Sequence, residues 1–164
     1  MGVKNCEEFG SILQALAKEL NKNEDLCKLL CNTNDKPLDT PLDTPRAQTK
    51  VIGNNIRIVP KITGKEEEST IVLILKRADH NTKNDEFSSL QLLCYVWTPL
   101  TQWNILINNK PALRPFSIIS EIQKSIYKKT INGIGVVTGG DFNLDTLTSE
   151  TSCYCVEFYI DVFT

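Results

Sequence analysis

The stretch SCYCVEFYIDVFT near the end of the chain constrains the fold more than any other segment. Tyr154, Val156, Phe158, Ile160 and Val162 alternate with Cys155, Glu157, Tyr159 and Asp161. A strand turns successive side chains to opposite faces, so a period of two this regular marks a half-buried strand of an antiparallel sheet. A chain that spends its best pattern on a sheet and shows no catalytic constellation reads as a building block.

The other elements follow from the same periodicity argument. Phe9, Ile12, Leu13, Leu16 and Leu20 fall on one face of a first helix. Asn23 can cap a second, EDLCKLLC, with Glu24 and Asp25 where the helix dipole favours acids. NNIRIVPKI, STIVLILKRADH and SLQLLCYVWTPL, rich in β-branched and aromatic residues, read as three strands. Pro60 puts the end of the first at an edge or bend, and the apolar run from Ile71 to Leu75 suggests cover on both faces. ADHNTKNDEFSS between the second and third reads as a mobile hairpin loop. NILINNKPALRP leads into a helix around Phe116 to Lys128, with Pro115 in its first turn and Ile118, Ile119, Ile122 and Ile126 on one side. INGIGVVTGGDFNLDTLT then reads as a strand broken at Gly139 and Gly140 by a bulge or a turn.

This order implies an α+β fold, a mostly antiparallel β-sheet of five or six strands with two or three helices packed on it. Strands without alternating helices speak against a doubly wound nucleotide fold. At 164 residues the chain is one domain with one core. Helices occupy 7–31, an arm 32–48, and the sheet with its helix 50–164. The arm is set by composition: NTNDKPLDTPLDTPRAQ contains PLDT twice in tandem, and its prolines forbid a helix or an interior strand. It reads as extended and exposed, either a plain linker or a reach towards a neighbouring subunit.

A net charge of −2 argues against a general binder of nucleic acid or anionic membrane. No apolar run approaches the roughly 20 residues a spanning helix needs, and MGVKNCEEFG lacks the apolar centre of a secretory signal, so a cytoplasmic protein is expected. Cys6 stands where myristoylation would want Ser or Thr. The six cysteines then read as reduced thiols. Neither Cys27 and Cys31 nor Cys153 and Cys155 have zinc-knuckle spacing, although a four-thiolate site is conceivable.

Chemistry is sparse. His80, the only histidine, lies in a polar segment and reads as solvated surface rather than as part of a triad or dyad. GIGVVTGG lacks the Lys-Ser or Lys-Thr ending of a phosphate loop and opens no helix. Tyr95, Trp97 and Trp103 near Arg114 could stack bases but have no basic stripe, so core packing is the better reading. Asp141, Asp145 and Glu121 could in principle hold a nuclease's divalent metal, yet no spacing requires them to meet. The chain is read as no enzyme, with no metal and no cofactor.

NEDLCKLLCNTNDKPL, VWTPLTQWNI, LRPFSIISEIQKSI and GGDFNLDTLTSETSCYCVEFYIDVF together resemble the small neck proteins of tailed bacteriophages, the tail-terminator or head-to-tail joining group. The resemblance covers most of the chain and is carried by pattern. It implies a structural virion subunit in a ring, commonly six-fold, which caps the tail tube, meets the connector, and leaves a channel for DNA. It places the arm and the loop from Asp79 to Ser89 at contacts between subunits. Within or beside the arm, Asp39, Asp43, Arg46 and Arg57 are the candidates for intersubunit ion pairs. The competing reading is a small cytoplasmic ligand-binding or regulatory domain, with Tyr95, Trp97 and Trp103 lining a pocket.

Overall fold

The computed structural model describes residues 2–42, 51–59 and 67–163. Its framework is a curled six-stranded sheet in the order β1-β2-β3-β8-β7-β6, with β1 Ile56–Arg57, β2 Thr70–Asn81, β3 Glu86–Pro99, β6 Thr130–Ile131, β7 Gly135–Leu147 and β8 Thr151–Val162. Among the described strands only β1 runs parallel to its neighbour. A separate hairpin joins β4 Asn104–Ile107 to β5 Lys110–Leu113. Three helices, α1 Glu8–Asn21, α2 Glu24–Cys31 and α3 Arg114–Ile126, complete the α+β fold.

The alternation in β8 does what its period demands. Val156, Phe158 and Ile160 are buried and face Cys94, Leu92 and Leu90 of β3, all buried too. This face of the sheet meets the buried stripes of the helices: Ile12, Leu16 and Leu20 from α1, Leu26, Leu29 and Leu30 from α2, and Ile118, Ile119, Ile122 and Ile126 from α3. Each such side chain contributes roughly 1.5–3 kcal/mol when fully buried. The continuous apolar run in β2 is buried on both faces at Ile71, Val72 and Leu73.

Local chemistry sets the joints. Asn23 Oδ1 accepts from the Leu26 amide at 3.0 Å, the cap expected of it. Its Nδ2 reaches Ser125 Oγ and Glu121 Oε2 on α3, so one side chain starts α2 and ties it to α3. In β7, Gly139 and Gly140 have φ of 88° and 111° at a register shift, which makes this a bulge in one bent strand. A Cβ at Gly139 would stand 2.9 Å from the Glu157 carbonyl oxygen. Gln123 of α3 donates to the Gly140 carbonyl at 2.9 Å, docking the helix on the bulge.

Three stretches differ from expectation. The segment between β2 and β3 is strand almost throughout, leaving only residues 82–85 as a turn. Asp79 accepts from Arg77 and Ser89, and His80 packs edge-on against Phe87, so the polar segment is held as a regular ladder. The NILINNKPAL segment is the β4–β5 hairpin, in which Asn108 and Asn109 take φ of 52° and 59°. Positive φ at both central residues gives the turn that matches strand twist. The described part of the proline-rich arm, 32–42, folds back instead of extending. Asn32 Nδ2 donates to the Pro37 and Thr40 carbonyls, and Leu38 and Leu42 pack on the core.

What holds that return is Arg114, whose amide donates to the Trp103 carbonyl at 2.8 Å and whose side chain is wholly buried at the first position of α3. Nε donates to Gln102 O at 2.8 Å, Nη1 to Leu29 O at 2.6 Å and Asn32 O at 2.7 Å, and Nη2 to Asn34 O at 2.6 Å. Burial lowers the guanidinium pKa to about 10, which leaves it charged at neutral pH. Leu29 lies in the last turn of α2, whose free carbonyls favour a cation. Arg114→Met is expected to lose about 3 kcal/mol or more, because four carbonyls lose a charged donor at once. Arg114→Lys, with a single ammonium, should recover only part of it. Denaturant midpoints of the three proteins check this order.

Candidate interaction surface

Among the described residues the sheet is closed on neither side. On one flank β6 pairs with Gly135 and Val136, and Lys128 and Lys129 bond to Val137. From Thr138 to Leu147 the outer side of β7 has no backbone partner among the described residues. On the other flank β1 pairs with Ile71 and Val72, and among the described residues β2 has no further backbone partner on that side from Leu73 to Asn81. Such rows of unpaired amides and carbonyls are templates for another strand.

The β7 flank also carries apolar surface. Phe142, Leu144 and Leu147 lie opposite Val156, Tyr154 and Ser152, so they continue the helix-bearing face of the sheet. The helical layer ends before it covers them, and they remain 42%, 51% and 62% exposed. Phe116 of α3, 39% exposed, forms a triangle with Phe142 and Tyr154, with ring centroids 5.2–6.0 Å apart. Trp103 stands 6.4 Å from Tyr154. A contiguous aromatic and aliphatic patch is the kind of surface that partners cover in other proteins. No motif pointed to it, because exposure here depends on where α3 ends.

The candidates from sequence are dispersed. Asp39 is exposed in the turn after Lys36, whose carbonyl accepts its amide at 3.2 Å. Arg57 lies in β1, where Nε donates to Asn54 O at 2.6 Å. Asp43 and Arg46 lie outside the described residues. Tyr95 and Trp97 share one face of β3, whereas Trp103 packs on Tyr154 at the opposite face, so these three do not line one pocket. A separate cleft of about 480 Å³ lies between α2, α3 and the β4–β5 hairpin, lined by Asp25, Leu29, Ile107, Phe116 and Lys124 among others.

Catalytic groupings are not assembled among the described residues. His80 Nε2 is 3.1 Å from Asp85 Oδ1 on an exposed turn, with no nucleophile on either. Glu121 is held by Asn23 and Lys124, and it does not form a cluster with Asp141 and Asp145. No group of three or more His, Cys, Asp or Glu among the described residues could hold a metal ion. The cysteines form no disulfide. Burial, with lesser help from Glu24, pushes the Cys27 thiol up to about 11. Burial first, then Asp145, pushes Cys153 up to about 12, and Cys94 is driven upward by burial alone more than by any neighbour. These thiols are packing groups, not nucleophiles.

Residues 23–162 match the model of one protein family, YomW, named after a Bacillus phage SPbeta-region protein. No curated protein matches the chain.

The thiols set a pH dependence. A group whose folded pKa is raised adds stability that is complete below its unfolded value, here 9.0, and is lost as pH rises towards the folded value. The three fully buried thiols, Cys27, Cys94 and Cys153, should together lose about 4 kcal/mol between pH 8 and pH 10. Arg114 acts in the opposite sense only above about 10. Chemical denaturation at pH 8, 9 and 10 reads the slope, and a triple Cys→Ala variant should flatten it.

Proposed function

The chain belongs to the YomW family, a phage-associated family, and on that premise we propose that it is a structural virion protein of a tailed-phage neck. It acts as one subunit of a ring that ends the tail tube or joins it to the head connector. The observation that carries this reading is the pair of open sheet edges, one flanked by exposed Phe142, Leu144 and Leu147. A subunit that repeats one heterologous contact closes into a ring when the rotation allows it. Open edges and an uncovered apolar patch are the usual means of such a contact.

The charge supports the same reading. A chain of net charge −2 gives a channel wall little hold on phosphate, and a neck must pass DNA without retaining it. The ring is six-fold in this reading, by resemblance to tail terminators, and it forms in the host cytoplasm before it enters the virion.

Light scattering behind a sizing column, with negative-stain images of the heavy fractions, tests the proposal. The expected result is a species several-fold heavier than the monomer that grows with concentration and images as closed rings. A strict monomer up to the highest soluble concentration would sink the ring reading.

A further inference from the structure

We propose that the contact between subunits is made by the free edge of β7 in one copy pairing antiparallel with the free edge of β2 in the next. This rests on the ring reading above and gives it a surface. Strand direction permits the pairing. β2, β3, β8 and β7 alternate in direction through three antiparallel pairs, so a second copy of the same orientation brings its β2 antiparallel to β7. The sheet then runs on across the joint without a break in its alternation. The open spans match in length: residues 138–147 on β7 and 73–81 on β2.

Charge selects this pairing over the symmetric one. The exposed side of β7 carries Asp141 and Asp145, while the open part of β2 carries Lys76 and Arg77, all four exposed. Within one copy Lys76 makes only a 3.6 Å contact with Glu157, and Arg77 turns back to Asp79. Pairing β7 with β7 would set aspartates against aspartates, and like charges on facing strands are destabilising. Apolar surface matches as well. The β7 flank exposes Phe142, Leu144 and Leu147, and the β1–β2 flank exposes Ile52 and Val59, at 42% and 62%. Head-to-tail addition is the arrangement in which each edge meets a complementary one and no edge meets itself.

The test uses the full chain and two charge reversals, Lys76→Glu with Arg77→Glu, and Asp141→Lys with Asp145→Lys. Each variant alone should self-associate at least tenfold more weakly than the wild type, since its altered edge repels the unaltered one. An equimolar mixture should regain the wild-type mass, because alternating copies restore opposite charge at every joint. Circular dichroism and thermal unfolding of each variant report folding, and the neutral variants Lys76→Gln with Arg77→Gln and Asp141→Asn with Asp145→Asn should give intermediate losses. Variants that fold and assemble like the wild type, or a mixture that stays monomeric, would overturn the edge pairing and leave the ring reading standing. A wild-type assembly that stops at two copies would assign β7 to itself and overturn the head-to-tail contact. A wild type that never associates removes the ring reading and this contact with it.

Discussion

A buried arginine with no carboxylate beside it organises one end of this molecule. Arg114 opens α3, and four of its five guanidinium N–H groups donate to carbonyls from the end of α2, from the return loop that follows it and from the turn after β3. A guanidinium taken from water is costly unless nearly all its donors are used. Four short bonds to backbone oxygen use them, and they also satisfy carbonyls that the ends of these segments leave unpaired. The end of α2 with its return loop and the distant turn after β3 are thereby held to one planar fork, whose geometry no lysine reproduces. The position of α3 then decides where the helical layer stops on the sheet.

Where that layer stops is what gives the molecule its outward face. Gln123 anchors α3 at the Gly140 bulge, and Phe116 is its last aromatic on that side. The strand β7 runs on past the anchor to Leu147, with the same face that is core elsewhere now bare. The apolar surface is therefore a continuation of the interior, and a neighbour that covers it extends a core already begun. Under the proposed ring reading, this is the surface at which a neighbouring copy would complete the layer.

Elements governed by local periodicity were legible from sequence. The face assignments in β8 and α3, the Asn23 cap and the glycine bulge follow from side-chain spacing and backbone freedom, and all are found. What escaped depends on partners distant in sequence. Nothing near Arg114 signals burial, since its acceptors are backbone oxygens contributed by residues 29, 32, 34 and 102. The β4–β5 hairpin was hidden because its turn is Asn-Asn, lacking the glycine that usually advertises two positive φ values. The polar run around His80 read as a loop because its order comes from Phe87 stacking and from Asp79 bonds across the ladder. The interaction surface was unreadable for the same reason, as exposure of Phe142 and Leu144 is set by the extent of a helix elsewhere.

The place of β8 in the sheet has a kinetic consequence. It follows the other seven described strands in sequence, yet it lies in the interior between β3 and β7. Its pairing with β3 joins residues 89–99 to 151–161, a separation of some sixty residues that must be closed before either neighbour gains a complete ladder. During synthesis β2 and β3 emerge as a hairpin with one open side, and β7 emerges with no partner but β6. β3 and β7 are joined into one sheet only through β8, so closure of the sheet waits on this long-range pairing. Until that pairing forms, one edge of β3 lacks its partner, and an unpaired strand edge is open to wrong association.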